Sequence, residues 1–400
     1  GGYNPFSIPN MPAAYTNYGW DWHRDETHRL QLRRGMVFAD GRPLKQVFGY
    51  YELARVDGAF WVEEPGLRLH FRLPAGAAPE DVTLEVSVRE QCFAPRVRNL
   101  GYVRVSGLTF EHAADPVPVP QRATVSTARG HHWIIEDCTV RRANACGIDI
   151  GREDWRATLE APRGGHVVRR NRIGDCGVCG IAGVGNVDGS LIEDNVIERV
   201  GGRNIERGLE SAGLKFHHAV DVLIRRNVFR HIRHATGLWL DVHNRNCRIT
   251  RNVFADILTL LGACYIECTR EVNLVDGNLI WGVRNGDPRP CPPEHVMHGG
   301  VGFDAGARDG QRRQDGGCED GRTRIPGHHR VLRPYGECSV GHCAHGVPKR
   351  KTGFTAPKQG VAWAAGPNNQ TALKKLTPPG RAEKGSRSLF PSDLVPCGGS

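Results

Sequence analysis

Two acids, Asp241 and Glu267, stand 26 residues apart in a chain whose repeats recur at about that interval. Residues one repeat apart in a stack of coils lie on adjacent strands, which puts their carboxyls on the order of 5 Å apart. That is the separation of a nucleophile and a proton donor acting with retention on one glycosidic carbon. Carboxylates so close repel, so one pKa is expected to rise, leaving one acid protonated and the other anionic. The alternative is a pair of solvated acids on a sheet face.

Other groups fall on the same face. Aligning the repeats stacks Asp149, Ala182, Lys215, Trp239 and Tyr265 in one outward column, and Gly151, Val184, His217, Asp241 and Glu267 in the next. Lys215, His217 and Glu210 are candidates to hold substrate hydroxyls or carboxylates, with Asp149 further along. Trp239 and Tyr265 are candidates for a flat platform under a sugar ring, unless they only cover apolar surface beneath a loop. The same residues admit a second chemistry, in which Lys215 or His217 abstracts a proton beside a uronate carboxylate and the acids hold Ca²⁺. A third possibility is a non-catalytic scaffold that binds glycans. His231 and His234 lie past another strand and read as solvated.

The element that must position these residues is a short phrase: two apolar residues, two polar ones usually including Asn, then an apolar pair. It appears as Val167–Ile173, Leu191–Ile197, Leu223–Phe229, Arg248–Phe254 and Leu274–Ile280, with earlier copies at Ile134–Val140 and, more weakly, Val105–Phe110. The Asn-to-Asn intervals are 24, 32, 25 and 26 residues, a solenoid period. Apolar residues recur at spacing two, so the solenoid is built of strands. Each phrase is followed by a second strand opening on a small residue, as in Gly147, Gly180, Gly213, Gly237 and Ala263. Stacking then puts Ile135, Val168, Ile192, Ile224, Ile249 and Val275 in one interior column, and Val140, Ile173, Ile197, Phe229, Phe254 and Ile280 in another. The repeated Asn suits a corner in the left-handed region and a ladder of amides bonded from coil to coil. Insertions around 151–165 and 201–211 emerge on one face, where loops of a solenoid wall a groove.

Composition constrains partners. The net charge is +10, yet residues 281–400 hold 18 Lys and Arg against 10 Asp and Glu, so the repeat region is almost neutral. No nucleic-acid surface and no membrane-spanning run is implied. Thirteen cysteines, mostly inside repeats, read as small buried thiols, Cys176 and Cys179 included, and not as a disulfide framework or a metal site.

Residues 1–99 lack the repeat but hold strand-like runs such as 58–62, 67–73 and 82–86, so a small β region precedes the coils at 100–283. Beyond about Trp281 periodicity ends, and 284–400 reads as an irregular or disordered tail. The chain starts without a leader and looks truncated.

Arg89–Pro95, Gly107–Ala113 and His131–Asp137 resemble bacterial right-handed parallel β-helix proteins of the pectate-lyase-like type, and most of all the β-helical glycoside hydrolases such as family 141. The resemblance spans roughly residues 36–283. It implies an all-β, right-handed parallel β-helix solenoid, a polysaccharide or oligosaccharide substrate, and a secreted or periplasmic location. It is far more specific for fold than for reaction, so hydrolysis of glycosidic bonds is expected, with a lyase as the alternative.

Overall fold

The computed structural model describes residues 2–10, 32–116, 121–154, 161–206, 210–259, 261–267, 269 and 271–285, with strands at 295–298, 301–304, 330–333 and 336–339. Three parallel sheets run through it. The first stacks Arg104–Ser106, Ile134–Glu136, Val167–Arg169, Leu191–Glu193, Leu223–Arg225, Arg248–Thr250 and Leu274–Asp276. The second stacks Thr109–Glu111, Thr139–Arg141, Arg172–Gly174, Val196–Glu198, Val228–Arg233, Val253–Thr259 and Leu279–Asn285. The third runs from Val125–Ser126 through Cys146–Asp149, Cys179–Val184, Ala212–His217, Thr236–Asp241 and Cys264–Glu267 to Val301–Asp304. Each coil thus has three strands, because the sequence phrase is bent at its polar pair and serves two sheets. The architecture is a parallel β-helix, and the described residues contain no α-helix.

The interior columns form in the expected register. Ile135 pairs with Val168, Val168 with Ile192, Ile192 with Ile224, Ile224 with Ile249 and Ile249 with Val275. Phe229 and Phe254 stack face to face at 4.9 Å between ring centroids. Like side chains meet because coils are one strand spacing apart, about 4.8 Å. The third sheet opens on glycine for a steric reason. A Cβ on Gly147, Gly180, Gly213 or Gly237 would lie 2.3–2.7 Å from the carbonyl oxygen of the next coil.

The amide ladder is continuous and buried. Asn171, Asn195, Asn227 and Asn252 each donate Nδ2 to the Oδ1 of the next Asn at 2.9–3.0 Å, ending on Asn278. Each Nδ2 also reaches a carbonyl of the preceding coil, such as Ile192 O from Asn227 at 3.0 Å. These Asn residues do not take the left-handed conformation. The preceding residue does: Asp137, Arg170, Asp194, Arg226 and Arg251 have φ of 53–56°, and Gly277 has 61°. The corner therefore falls one position earlier than expected, and Asn serves hydrogen bonding alone.

Arg and Asp at these strained corners pair across coils. Arg170 grips both oxygens of Asp137 at 2.8 and 2.7 Å, and Arg226 grips Asp194 at 2.7 Å on both. Arg169 and Arg225 pair with Glu136 and Glu193 of neighbouring coils. These paired arginines are thus matched by carboxylates of the same face.

Before the coils, two antiparallel pairings, Ala59–Glu63 with Arg68–Arg72 and Val37–Ala39 with Leu84–Val86, belong to separate three-stranded sheets. Phe6, Val37, Leu44, Phe60 and Val62 form a core distinct from that of the helix. The alternation over 67–73 overstated burial there, since Leu67 and Phe71 are exposed. Asn10 and Asn144 exchange side-chain hydrogen bonds at 3.1 and 2.9 Å and tie this region to the coils. The tail beyond 285 lies largely outside the described residues, although Val301–Asp304 continues the third sheet in parallel. No helix among the described residues is long and apolar enough to cross a membrane.

Candidate functional site

The outward column of the third sheet has the register read from sequence: Asp149 pairs with Ala182, Ala182 with Lys215, Lys215 with Trp239 and Trp239 with Tyr265. His217 pairs with Asp241, and Leu240 with Ile266, so Asp241 and Glu267 follow on adjacent strands. Alternation along each strand sends these side chains away from the apolar interior filled by Leu214, Leu238 and Phe216.

Three of the candidates meet at Asp241. Its Oδ2 lies 3.0 Å from Lys215 Nζ and 2.7 Å from His217 Nε2, while Oδ1 accepts the Val242 amide at 2.8 Å. Lys215 Nζ is also 3.5 Å from Glu210 Oε1 and 3.5 Å from the centroid of the Trp239 ring. The Lys215 side chain is 2% exposed and that of Asp241 14%, so the carboxylate is the part of the pair that reaches solvent.

The electrostatics follow from this packing. Burial pushes the Asp241 pKa up, but Lys215 and His217 outweigh it and hold the carboxyl well below the usual range. Burial also opposes charge on Lys215, and the carboxylates of Glu210 and Asp241 outweigh it, raising its pKa above that of an ordinary lysine. The expected carboxylate repulsion is thus not what governs Asp241: a buried cation intervenes. Asp241 is anionic and Lys215 stays an ammonium at neutral pH.

Glu267 Oε2 accepts a hydrogen bond from Trp239 Nε1 at 3.1 Å, which orients it beside this cluster. Trp239 and Tyr265 pack edge to face at 5.3 Å and are 3% and 2% exposed. They are covered, as the second of the two sequence readings had it, and Trp239 contacts both Lys215 and Glu267.

Asp149 lies two coils from Lys215, with Ala182 between, in a separate acidic group. Ser126 Oγ is 3.4 Å from Asp149 Oδ2 and 3.2 Å from Glu153 Oε1. Burial, then the neighbouring Glu153, pushes the Asp149 pKa well above that of an ordinary aspartate. Ser126 has one hydroxyl proton for two carboxyls, and the raised pKa biases Asp149 toward its protonated form. Glu153 and Ser126 escaped sequence reasoning because neither belongs to a repeat phrase. Gln121, which donates Nε2 to Glu210 Oε2 at 3.0 Å, escaped it for the same reason.

His231 is exposed and 2.9 Å from Asp256, on another face. Cys92, Cys138, Cys146, Cys176, Cys179, Cys247 and Cys264 are free and all but Cys92 are buried, as expected of Cys176 and Cys179. No group of three His, Cys, Asp or Glu among the described residues is arranged to hold a metal ion.

The stacked coils and this outward face define a right-handed parallel β-helix with a buried ion cluster on one sheet. Residues 96–287 match the family described as right handed beta helix region. No curated protein matches the chain. Among solved structures, the complex of XylC with xylose is similar at 22% identity and a TM-score of 0.55, over 71% of this chain and 52% of that one. The chain therefore spans about half the length of that structure. A structure described as a glycoside hydrolase is similar over 59% of this chain and 56% of that one, at 14% identity and a TM-score of 0.37. The native GH136 lacto-N-biosidase from Eubacterium ramulus is similar over 50% and 42%, at 14% identity and a TM-score of 0.32.

Proposed function

We propose that the β-helix carries the catalytic face of a carbohydrate-active enzyme that hydrolyses glycosidic bonds in a polysaccharide or oligosaccharide. The observation that carries this reading is the anionic Asp241, held between Lys215 and His217 and one coil from Glu267. Backbones one strand spacing apart, about 4.8 Å, suit the carboxyl separation of a retaining pair.

On this reading Asp241 attacks the anomeric carbon, because it is the acid that is ionised. Its carboxylate forms the new C–O bond as the glycosidic C–O bond breaks, and Glu267 gives its proton to the departing oxygen. Glu267 then takes a proton from the water that releases the sugar. Lys215, His217 and Glu210 hold Asp241 and the sugar hydroxyls in place, and Trp239 fixes Glu267. No metal takes part, so a chelator leaves turnover unchanged.

The lyase alternative needs Lys215 or His217 as a base. Lys215, whose pKa is raised by the surrounding carboxylates, is a poor base at neutral pH, which counts against that half of the alternative. That the XylC structure holds xylose agrees with a sugar substrate for this fold. A secreted or periplasmic location accords with a polymeric glycan substrate.

A panel of 4-nitrophenyl glycosides and plant and bacterial polysaccharides tests the proposal by release of reducing ends. Asp241→Asn is expected to lose about a thousandfold or more in rate. Glu267→Gln is expected to spare substrates whose leaving group needs no proton and to lose those that do. An Asp241→Asn variant keeping more than a tenth of the activity removes the assignment.

A further inference from the structure

Gln121 stands at this site with half of its amide unexplained by the reaction above. It lies in the segment that leads into the third sheet, ahead of Val125–Ser126, and is 3% exposed. Its backbone N–H donates to Glu153 O at 2.8 Å, and its Nε2 donates to Glu210 Oε2 at 3.0 Å. Its Oε1 is buried and has no donor among the described residues. A buried carbonyl oxygen left so carries a desolvation penalty that a donor from a ligand would relieve. Because Oε1 and Nε2 share one planar amide, Oε1 lies close to the Glu210 carboxylate that Nε2 contacts.

The neighbours decide what kind of donor fits. Glu210 accepts from Gln121 on one oxygen and faces Lys215 at 3.5 Å with the other. Among the described residues the cluster is rich in acceptors, and Lys215 is already shared by Glu210 and Asp241. A ligand that brings neighbouring hydroxyl donors and no negative charge satisfies it. A uronate would bring its carboxylate toward Glu210 and Asp241, which already draw on Lys215.

We propose that Gln121 and Glu210 form a subsite for the vicinal diol of a neutral sugar, with Gln121 Oε1 accepting one hydroxyl and the Glu210 carboxylate the other. The proposal rests on the glycosidase reading for its place next to Asp241, and it makes Gln121 a specificity-determining residue. Gln121 also positions Glu210, so a simple loss of activity on substitution would not separate the two effects.

The test is a binding cycle on the full chain, read by NMR titration. Wild type and Gln121→Leu are titrated with the methyl glycosides of xylose, arabinose, glucose and galactose, with methyl glucuronide, and with singly deoxygenated forms of whichever sugar binds. In the wild type, removing one hydroxyl of the diol is expected to weaken binding on the order of ten- to a hundredfold. In Gln121→Leu the same deletion is expected to change binding by less than about twofold, since its partner is already gone. Methyl glucuronide is expected to bind at least about tenfold more weakly than methyl glucoside. The ratio of parent to deoxy sugar within one variant does not depend on how much of that variant is folded. Equal deoxy penalties in both proteins, glucuronide binding as tightly as glucoside, or no binding of any sugar each overturns the proposal. If the cycle holds while the matching 4-nitrophenyl glycosides are not hydrolysed, the subsite stands and the hydrolytic reading falls.

Discussion

The first and third sheets both carry charged side chains in columns, and they differ in which partner of a pair is buried: on the first sheet Glu136 and Glu193 are buried under partly exposed arginines, whereas on the third it is the ammonium of Lys215 that is buried. On the first sheet and its corners, Arg170, Arg226 and their partners Asp137 and Asp194 meet in water, each with a third or more of its side chain exposed. On the third, Lys215 is buried against Trp239 with Asp241 as its outlet to solvent. Exposed pairs are screened and contribute little, whereas a buried ammonium is tolerated only where carboxylates stand close on fixed strands. A solenoid offers every outward position to either fate. The face on which a buried ammonium is held among carboxylates is the face where chemistry is to be sought.

Substitutions that separate the two faces should therefore differ in size and in pH dependence. The largest effect is expected for Lys215→Met, which leaves Asp241 without its ammonium and costs about 3–5 kcal/mol by urea unfolding at pH 7. A depressed carboxyl pKa gives stability that is present above about pH 4, the unfolded value, and is lost as pH falls through the lower folded value. In Lys215→Met the Asp241 pKa rises. The acid-side loss of stability, and the acid limb of kcat/KM, should both move to higher pH. An unchanged acid limb would remove Lys215 as the group that keeps Asp241 ionised.

Asn227→Ala is expected to come next, at about 2–4 kcal/mol, because the Asn195 backbone N–H and Nδ2 both lose the oxygen that accepts them. Thermal unfolding reports it, and catalytic constants of the folded fraction should not change. A fall in kcat without a fall in melting temperature would mean the ladder does more than hold coils together.

Asp149→Asn should produce a smaller, pH-dependent change of opposite sign. A carboxyl whose folded pKa is raised contributes stability that is fully present below its unfolded value and is lost as pH rises through the folded one. Wild type should therefore lose stability relative to Asp149→Asn as pH rises from the unfolded value of about 4 toward alkaline pH. Melting temperatures followed from pH 4 to pH 9 would show parallel curves if Asp149 is ionised throughout.

The smallest effect is expected for Arg226→Ala on the solvated face, with a melting shift of about one degree or less. A larger one would show that these exposed pairs offset the strain of the left-handed corners.

Much of this architecture was legible because it repeats. The Asn-to-Asn intervals predicted the coils, spacing two predicted strands, and the order Asp149, Ala182, Lys215, Trp239, Tyr265 emerged from aligning phrases by their small opening residues. What repeats can be aligned, and what is aligned in a stack is in contact. Gln121, Ser126 and Glu153 had no such signal, since they occur once: Gln121 and Glu153 sit in connecting segments and Ser126 in the short strand that begins the third sheet. The burial of Trp239 and Tyr265 was only one of two readings the sequence left open, because an outward position says which side a residue faces and not what covers it. The left-handed corner fell on residues as unlike glycine as Arg170 and Arg226, where propensity points elsewhere and the stack imposes the turn.

The sequence by itself determined that the chain coils, how many residues make a turn, and which side chains share a column, because each depends on periodicity along the chain. Only the tertiary structure decided that Lys215 lies between Glu210 and Asp241, that Asp241 is held ionised while Asp149 is pushed toward its protonated form, and that Gln121 donates to Glu210. Those outcomes depend on distance and burial across segments far apart in the chain, and a pKa or a hydrogen bond is set by whatever stands within a few ångströms in space, however remote it is in sequence.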